Sequence, residues 1–405
     1  IGVTGVQTCA LPIFTASIDS TVRLWESNSG CPVAELTGPW DGAPIVGFSS
    51  DRKLILASDN KRAQVFDVHS SRPVGTFLGS TVFSPDGRLA VNCGLDASIF
   101  RTDGTRHVDA DLWLPVVLMR LRGHWGRVDS AAFSPDGRWL VTTDGRGTAR
   151  IFEAESGVLV SELDGLKWRV QRAKFSPDGR RVLMLGHDTT ARVIESEGGR
   201  LVSTPSGIGH IHAVIFSPDS QHVLIGRAHT TVQVFEVESG EMVTELSRSP
   251  TSNRNLEFSP DGQHLITSDA DTARVYATDD WHLVAHLAGD GSAVSIATFS
   301  PDGRHTVIVG QGRTAQVYEA KTWRLIANLK GHGAKIWSVS FSPDSQHLVT
   351  ASADNTARIW DLSPEMRTPE QVARLIRCHV PARFEKADSS IIVPVWPNPT
   401  ESIEA

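Results

Sequence analysis

The tetrapeptide Phe-Ser-Pro-Asp returns along this chain at Phe83, Phe133, Phe175, Phe216, Phe258, Phe299 and Phe341, with a weaker Phe-Ser-Ser-Asp copy at Phe48. From Phe133 onward the copies stand 42, 41, 42, 41 and 42 residues apart. A period this strict marks one supersecondary unit copied and stacked, so that neighbouring copies bury each other. In such an array function must come from what the copies leave exposed.

Lys335 to Trp360 is the clearest copy. Ile336, Val339 and Phe341 lead into Ser342-Pro343-Asp344-Ser345; most copies read Ser-Pro-Asp-Gly here, which suits a type I turn. Leu348-Val349-Thr350-Ala351 follows, then a turn at Ala353-Asp354-Asn355, then Thr356-Ala357-Arg358-Ile359-Trp360. Short runs rich in β-branched and aromatic residues between turn signals read as strands. Most copies add a fourth, such as Leu283 to Leu287. Four strands in about 41 residues match the blade of a β-propeller, and the length accommodates seven or eight four-stranded blades. The fold class is all-β.

Gly331-His332, Phe341-Ser342-Pro343-Asp344, Asp354 and Trp360-Asp361 resemble the WD-repeat signature, in phase over roughly residues 14 to 362. The resemblance implies a hydrogen-bonded network inside the blade of His332, Asp354, Trp360 and one of Thr350 or Ser352. Most other copies depart from it. The Trp position holds Phe66, Phe100, Phe152, Ile194, Phe235, Tyr276 and Tyr318, and the Asp position becomes Arg146, His229 and Gly312. Stacked apolar strands are expected to hold those copies together instead. The repeat style is similar to bacterial WD-repeat proteins, in which the propeller commonly follows a STAND-type ATPase or a Ser/Thr kinase. The resemblance therefore implies the C-terminal part of a bacterial signalling protein.

The ends leave the pattern. Val3 to Ile13 resembles the translation of a sequencing adapter, and residues 1–13 are set apart from the propeller of residues 14–362. In residues 363–405, Thr368-Pro369-Glu370-Gln371 reads as a capping box, with Val372, Leu375 and Ile376 giving a short helix an apolar face before an irregular tail. Between Phe100 and Val116 an insert, Arg101 to Pro115, carries Asp103, Asp109, Asp111 and Trp113. Its acids lack the spacing of a Ca²⁺ loop, and slack or a partner contact is the better reading.

A net charge of −7 argues against a general nucleic-acid binder. The apolar run from Leu112 to Met119 is too short for a bilayer, and Cys9, Cys31, Cys93 and Cys378 have no paired or metal-type spacing. A cytoplasmic protein with no nucleic acid and no membrane partner is expected. No catalytic, cofactor-binding or metal residues stand out. His222, His264, His305 and His347 recur six residues after the motif phenylalanine, but equivalent positions on neighbouring copies fan apart and read as surface decoration. The stronger candidate is the edge where each first strand begins. Residues four and six before the motif phenylalanine include Arg127, Asp129, Arg169, Gln171, His210, His212, Arg254, Lys335 and Trp337. This locally basic set, with Trp337 as anchor, predicts a protein partner of acidic character. The expected function is a non-catalytic binding scaffold or sensor; the alternative is an enzyme working in the central channel of the propeller.

Overall fold

The computed structural model describes residues 12–16, 21–26, 32–38, 45–48, 54–59, 62–78, 81–93, 97–101, 117–121, 123–124, 127–163, 170–186, 190–205, 211–227, 231–246, 256–268, 272–342, 344–354 and 356–362. Among them every regular element is a β-strand. The strands form nine antiparallel sheets, seven of four strands and two of three. In a representative copy Val128–Phe133, Trp139–Asp144, Ala149–Glu153 and Leu159–Leu163 pair in sequence order. This up-and-down sheet is the blade of a β-propeller. The described residues divide into two compact units, Pro12–Glu26 with Cys31–Phe258, and Ser259 onward.

Side chains alternate across a strand, and in the middle strands both faces are buried. Leu140 and Phe152 pack toward the preceding copy with Val91, Ile99 and Val128. Their neighbours Val141 and Ile151 pack the other way, with Val170, Val182 and Met184. In the second unit Ile308 and Tyr318 join the cluster of Ile266 and Val275, while Val307, Val309 and Val317 join Ile336 and Leu348. Each unit is thus a run of sheets glued face to face, which is why the middle strands read as continuous apolar runs. The fourth strands are different: Val158, Leu201, Met242, Leu325 and Ile326 are exposed.

The repeated tetrapeptide has a local cause. Ser134 Oγ donates to Asp136 Oδ1 at 2.5 Å and accepts the Trp139 N–H at 2.8 Å, while Asp136 Oδ1 accepts the Arg138 N–H at 3.0 Å. The same three bonds recur at Ser84, Ser176, Ser217, Ser259, Ser300 and Ser342, all of them buried. The turn ends in the left-handed region, at φ 72° in Gly137 and Gly179. A side chain there would lie over the motif proline of the preceding copy, 3.6 Å from Pro85 and 3.8 Å from Pro135 respectively. Two copies place serine here and use it. Ser220 (φ 62°) accepts the Asp178 N–H, and Ser345 (φ 61°) accepts that of Asp302, tying turn to turn.

Several expectations are altered. A closed ring would draw the outer strand of the last copy from Pro32 to Leu36 or Pro73 to Phe77. Those segments lie in outer strands that pair on one side with Thr21–Glu26 and Arg62–Asp67. Ala357–Asp361 pairs only with His347–Ser352 among the described residues. The three-stranded sheets fall on the first and last copies, as their partial sequences imply. Pro12 and Ile13 stand opposite Glu26 and Trp25 in a strand, although the sequence assigned them to the adapter-like stretch. The helix signal after Thr368 and nearly all of the insert after Arg101 lie outside the described residues.

Candidate protein-binding edge

Residues four before the motif phenylalanine share a backbone feature. The ladder between the first two strands shifts register between Val128 and Ser130, Val170 and Arg172, Ile211 and Ala213, Val294 and Ile296, and Ile336 and Ser338. The extra residues are Asp129, Gln171, His212, Ser295 and Trp337. A bulge leaves its extra residue out of the backbone ladder, so the candidates occupy one repeated backbone position. Residues two earlier are equivalent too: the Arg127 carbonyl accepts the Gly145 N–H at 3.1 Å, as Lys335 accepts Ala353 N–H at 2.8 Å. Arg169, His210 and Arg254 lie outside the described residues.

In the unit beginning at Ser259, Trp337 is 65% exposed. Lys335 Nζ stands 5.0 Å from its ring centroid and donates to Gln311 Oε1 at 2.9 Å, which holds the ammonium beside the indole. Asp290 and Ser292 sit above the preceding loop, Gly310-Gln311-Gly312. A Cβ on Gly312 would come 2.0 Å from Asp290 Oδ2, so the Gly-x-Gly is steric and not a phosphate loop. In the other unit Arg127 and Asp129 are exposed beside Cys93. Burial, with the Asp129 charge adding and that of Arg127 opposing, pushes the Cys93 thiol up to about 12. It is therefore an un-ionised core residue.

The expected network is present in the last copy. His332 Nδ1 meets Asp354 Oδ2 at 3.0 Å and Nε2 meets Thr350 Oγ1 at 2.8 Å; Trp360 Nε1 donates to the same Oγ1 at 2.9 Å. Thr350 is therefore the bridge. Ser352 instead donates to Ala334 O and accepts the Asp354 N–H.

A second network was not read from the sequence. His124 Nδ1 meets Asp144 Oδ2 at 3.0 Å and Nε2 meets Thr142 Oγ1 at 2.6 Å, with Arg150 Nη1 3.9 Å from Asp144 and Nη2 bonded to Glu162. Phase alignment matches Asp354 with Arg146, two residues beyond Asp144, which stands in phase with Ser352. The carboxylate reaches the same histidine from the strand end.

Both sets have the donor order of a hydrolase triad, but Thr142 and Thr350 are 0% exposed, so neither hydroxyl meets substrate. Burial holds His124 below its ordinary 6.5, with Arg150 adding and Asp144 opposing. Burial raises Asp144, but hydrogen bonds from His124 and the Thr148 and Arg146 N–H groups hold it below 3.8. Both depressed values make stability greatest at higher pH. The His124 contribution is complete above 6.5 and is lost as pH falls below it; the Asp144 contribution begins to fall only below 3.8. Urea midpoints measured from pH 8 to 5 should therefore decline below pH 6.5, with a shallower slope in His124→Asn.

Among the rim histidines, His264 packs edge-on against Trp323 at 5.1 Å. With His305, Asp302 and Ile326 they line an open cleft of about 840 Å³ on the turn side. His264 is thus a packing residue, not decoration. Asp279, Asp280 and His282 bring three ligand-type atoms within 4.8 Å at an exposed turn, but His282 Nδ1 is engaged by Asp280.

Residues 115–153 and 323–361 match the family described as WD domain, G-beta repeat. These are the two copies that contain the His–Asp–Thr networks. Those two copies are similar to WD repeats. The Actin-interacting protein 1 of Drosophila melanogaster is 26% identical over 149 residues, 35% of this chain and 23% of that protein. The nuclear distribution protein nudF of Aspergillus niger is 26% identical over 164 residues, 36% of this chain and 37% of the relative. The nuclear distribution protein PAC1 of Arthroderma otae is 24% identical over 174 residues, covering 38% of each. The chain thus spans well under half the length of these relatives. The crystal structure of the computationally designed Ika8 protein superposes with a TM-score of 0.60 at 17% identity, over 86% of this chain and 93% of that one. That likeness concerns the fold alone. No helix among the described residues is long and apolar enough to cross a membrane.

Proposed function

We propose that this WD-repeat chain is a non-catalytic protein-binding scaffold that captures its partner on the edge carrying the first-strand bulges. The observation that carries the reading is Trp337, 65% exposed on a bulge, with the Lys335 ammonium, itself bonded to Gln311, 5.0 Å from its ring centroid. A large aromatic held rigid in water costs little further entropy on binding, and Trp is prominent among interface anchors. Lys335 beside Trp337 favours an acidic partner; in the other unit Arg127, Asp129, Gln171 and His212 hold the equivalent first-strand positions, and Arg169 and Arg254, outside the described residues, belong to the same proposed set. A cytoplasmic protein of a bacterial signalling system, with a switch ATPase or kinase upstream, is the setting we propose, without nucleic-acid or membrane partners. The enzyme reading is less favoured because the two triad-like sets are closed to substrate.

Replacing Trp337 by Ala should weaken partner capture by about 2 kcal/mol or more, while the urea midpoint stays unchanged. Quantitative pull-down with both proteins tests this. A partner recovered equally by folded Trp337→Ala removes this edge from contention.

A further inference from the structure

Among the described residues the last sheet has three strands, one fewer than the sheet before it. In Ala149–Glu153 and Ala315–Glu319 the third strand is paired with a fourth and covered by the following sheet, whereas Ala357 to Trp360 are all half-exposed. Edge strands present unpaired backbone groups that accept an added strand. The other sheets reveal what such a strand must contain. Opposite the alanine of the third strand stands Leu163, Leu287, Leu329 or Phe77. Opposite the following aliphatic residue stands Ala34, Gly75, Ser161, Ala285 or Ala327. A bulge intervenes, and the bulky third-strand residue then faces Pro32, Pro73, Leu159, Leu283 or Leu325.

At the position between alanine and aliphatic three outer strands carry a carboxylate, whereas Arg274 faces His286, Gln316 faces Asn328 and Gln64 faces Thr76. Arg23 pairs with Glu35 at 2.9 Å, Arg150 pairs with Glu162, and Gln233 bonds Glu245 at 3.0 Å. Arg358 occupies that position in the last sheet, opposite Thr350. Its guanidinium lies over Gly331, as that of Arg150 lies over Gly123. Among the described residues no carboxylate answers it. We infer that the open edge of Ala357–Asp361 binds an extended acidic segment of a partner protein, added antiparallel, of the form Leu/Pro-x-small-Glu-Leu. Glu faces Arg358, the small residue faces Ile359, and the first apolar residue faces Trp360.

A partner protein fits better than this chain or a second copy. The chain's own matching strands at residues 32–36 and 159–163 are already paired. The tail sequence Val380 to Phe384 meets the apolar part of the pattern but would set Arg383 against Arg358. Like charges directly opposite are destabilising.

The test is fluorescence anisotropy of the full chain with a labelled peptide of the sequence of residues 157–164, whose Glu162 already pairs with Arg150. Saturable binding is expected, at least tenfold weaker when that Glu is Lys. Arg358→Glu should reverse the preference, so the charge swap controls for misfolding. Absence of saturable binding overturns the inference, including the case in which residues beyond Leu362 hold the edge. Equal binding of both peptides to both proteins overturns it as well.

Discussion

Asp144→Ala is expected to destabilise the unit that contains it by about 3–5 kcal/mol, the range for breaking a buried charge pair. The carboxylate is 0% exposed and accepts four groups: His124 Nδ1, the N–H groups of Arg146 and Thr148 at 3.0 Å, and at longer range Arg150. Alanine leaves a cation 1% exposed beside a buried imidazole, with two turn N–H groups unmatched. The equivalent change at Asp354 should cost less, because that side chain is 14% exposed and water can replace it. Urea unfolding followed by tryptophan fluorescence measures both. A loss below about 1 kcal/mol for Asp144→Ala, the scale of exposed pairs, would mean that the network contributes no more than a surface ion pair.

Trp281→Gly is expected to cost about 2 kcal/mol despite relieving strain, because loss of a buried Trp at about 3–5 kcal/mol exceeds the left-handed penalty of about 1–2. Trp281 holds φ 63° and Trp323 φ 56°, in turns where other copies have Gly157 at 64° and Gly240 at 70°. Trp281 is only 7% exposed, and Trp323 lies against Phe299 and His264. The rings fill space beside the neighbouring sheet that the glycine copies close off: a Cβ on Gly240 would meet Ser203 at 2.9 Å. A neutral or raised urea midpoint for Trp281→Gly would show that backbone strain outweighs the packing.

The recurrence of Ser, Pro and Asp foretold the turns correctly because all the bonds of that turn close within five residues. The first-strand position was also legible: counting back four residues from Phe341 reaches Trp337, and a register shift recurs at the same count in four other copies. The role of Asp144 was not legible. Phase alignment points to Arg146, and only the backbone path at the strand end shows that a carboxylate two residues earlier meets the same imidazole.

Sequence by itself determined the strand pattern, the period and the turn chemistry, since each depends on contacts between residues close along the chain. Tertiary structure decided which side chains become partners across strands and sheets. Asp144 finds His124 twenty residues away, and His264 packs on Trp323 of the next copy. It also decided that Pro32–Thr37 completes its own sheet, leaving Ala357–Asp361 without a fourth strand among the described residues. Many outer strands of this chain carry nearly the same apolar alternation. Only the pairing of each with its own third strand, which no local pattern encodes, selects among them.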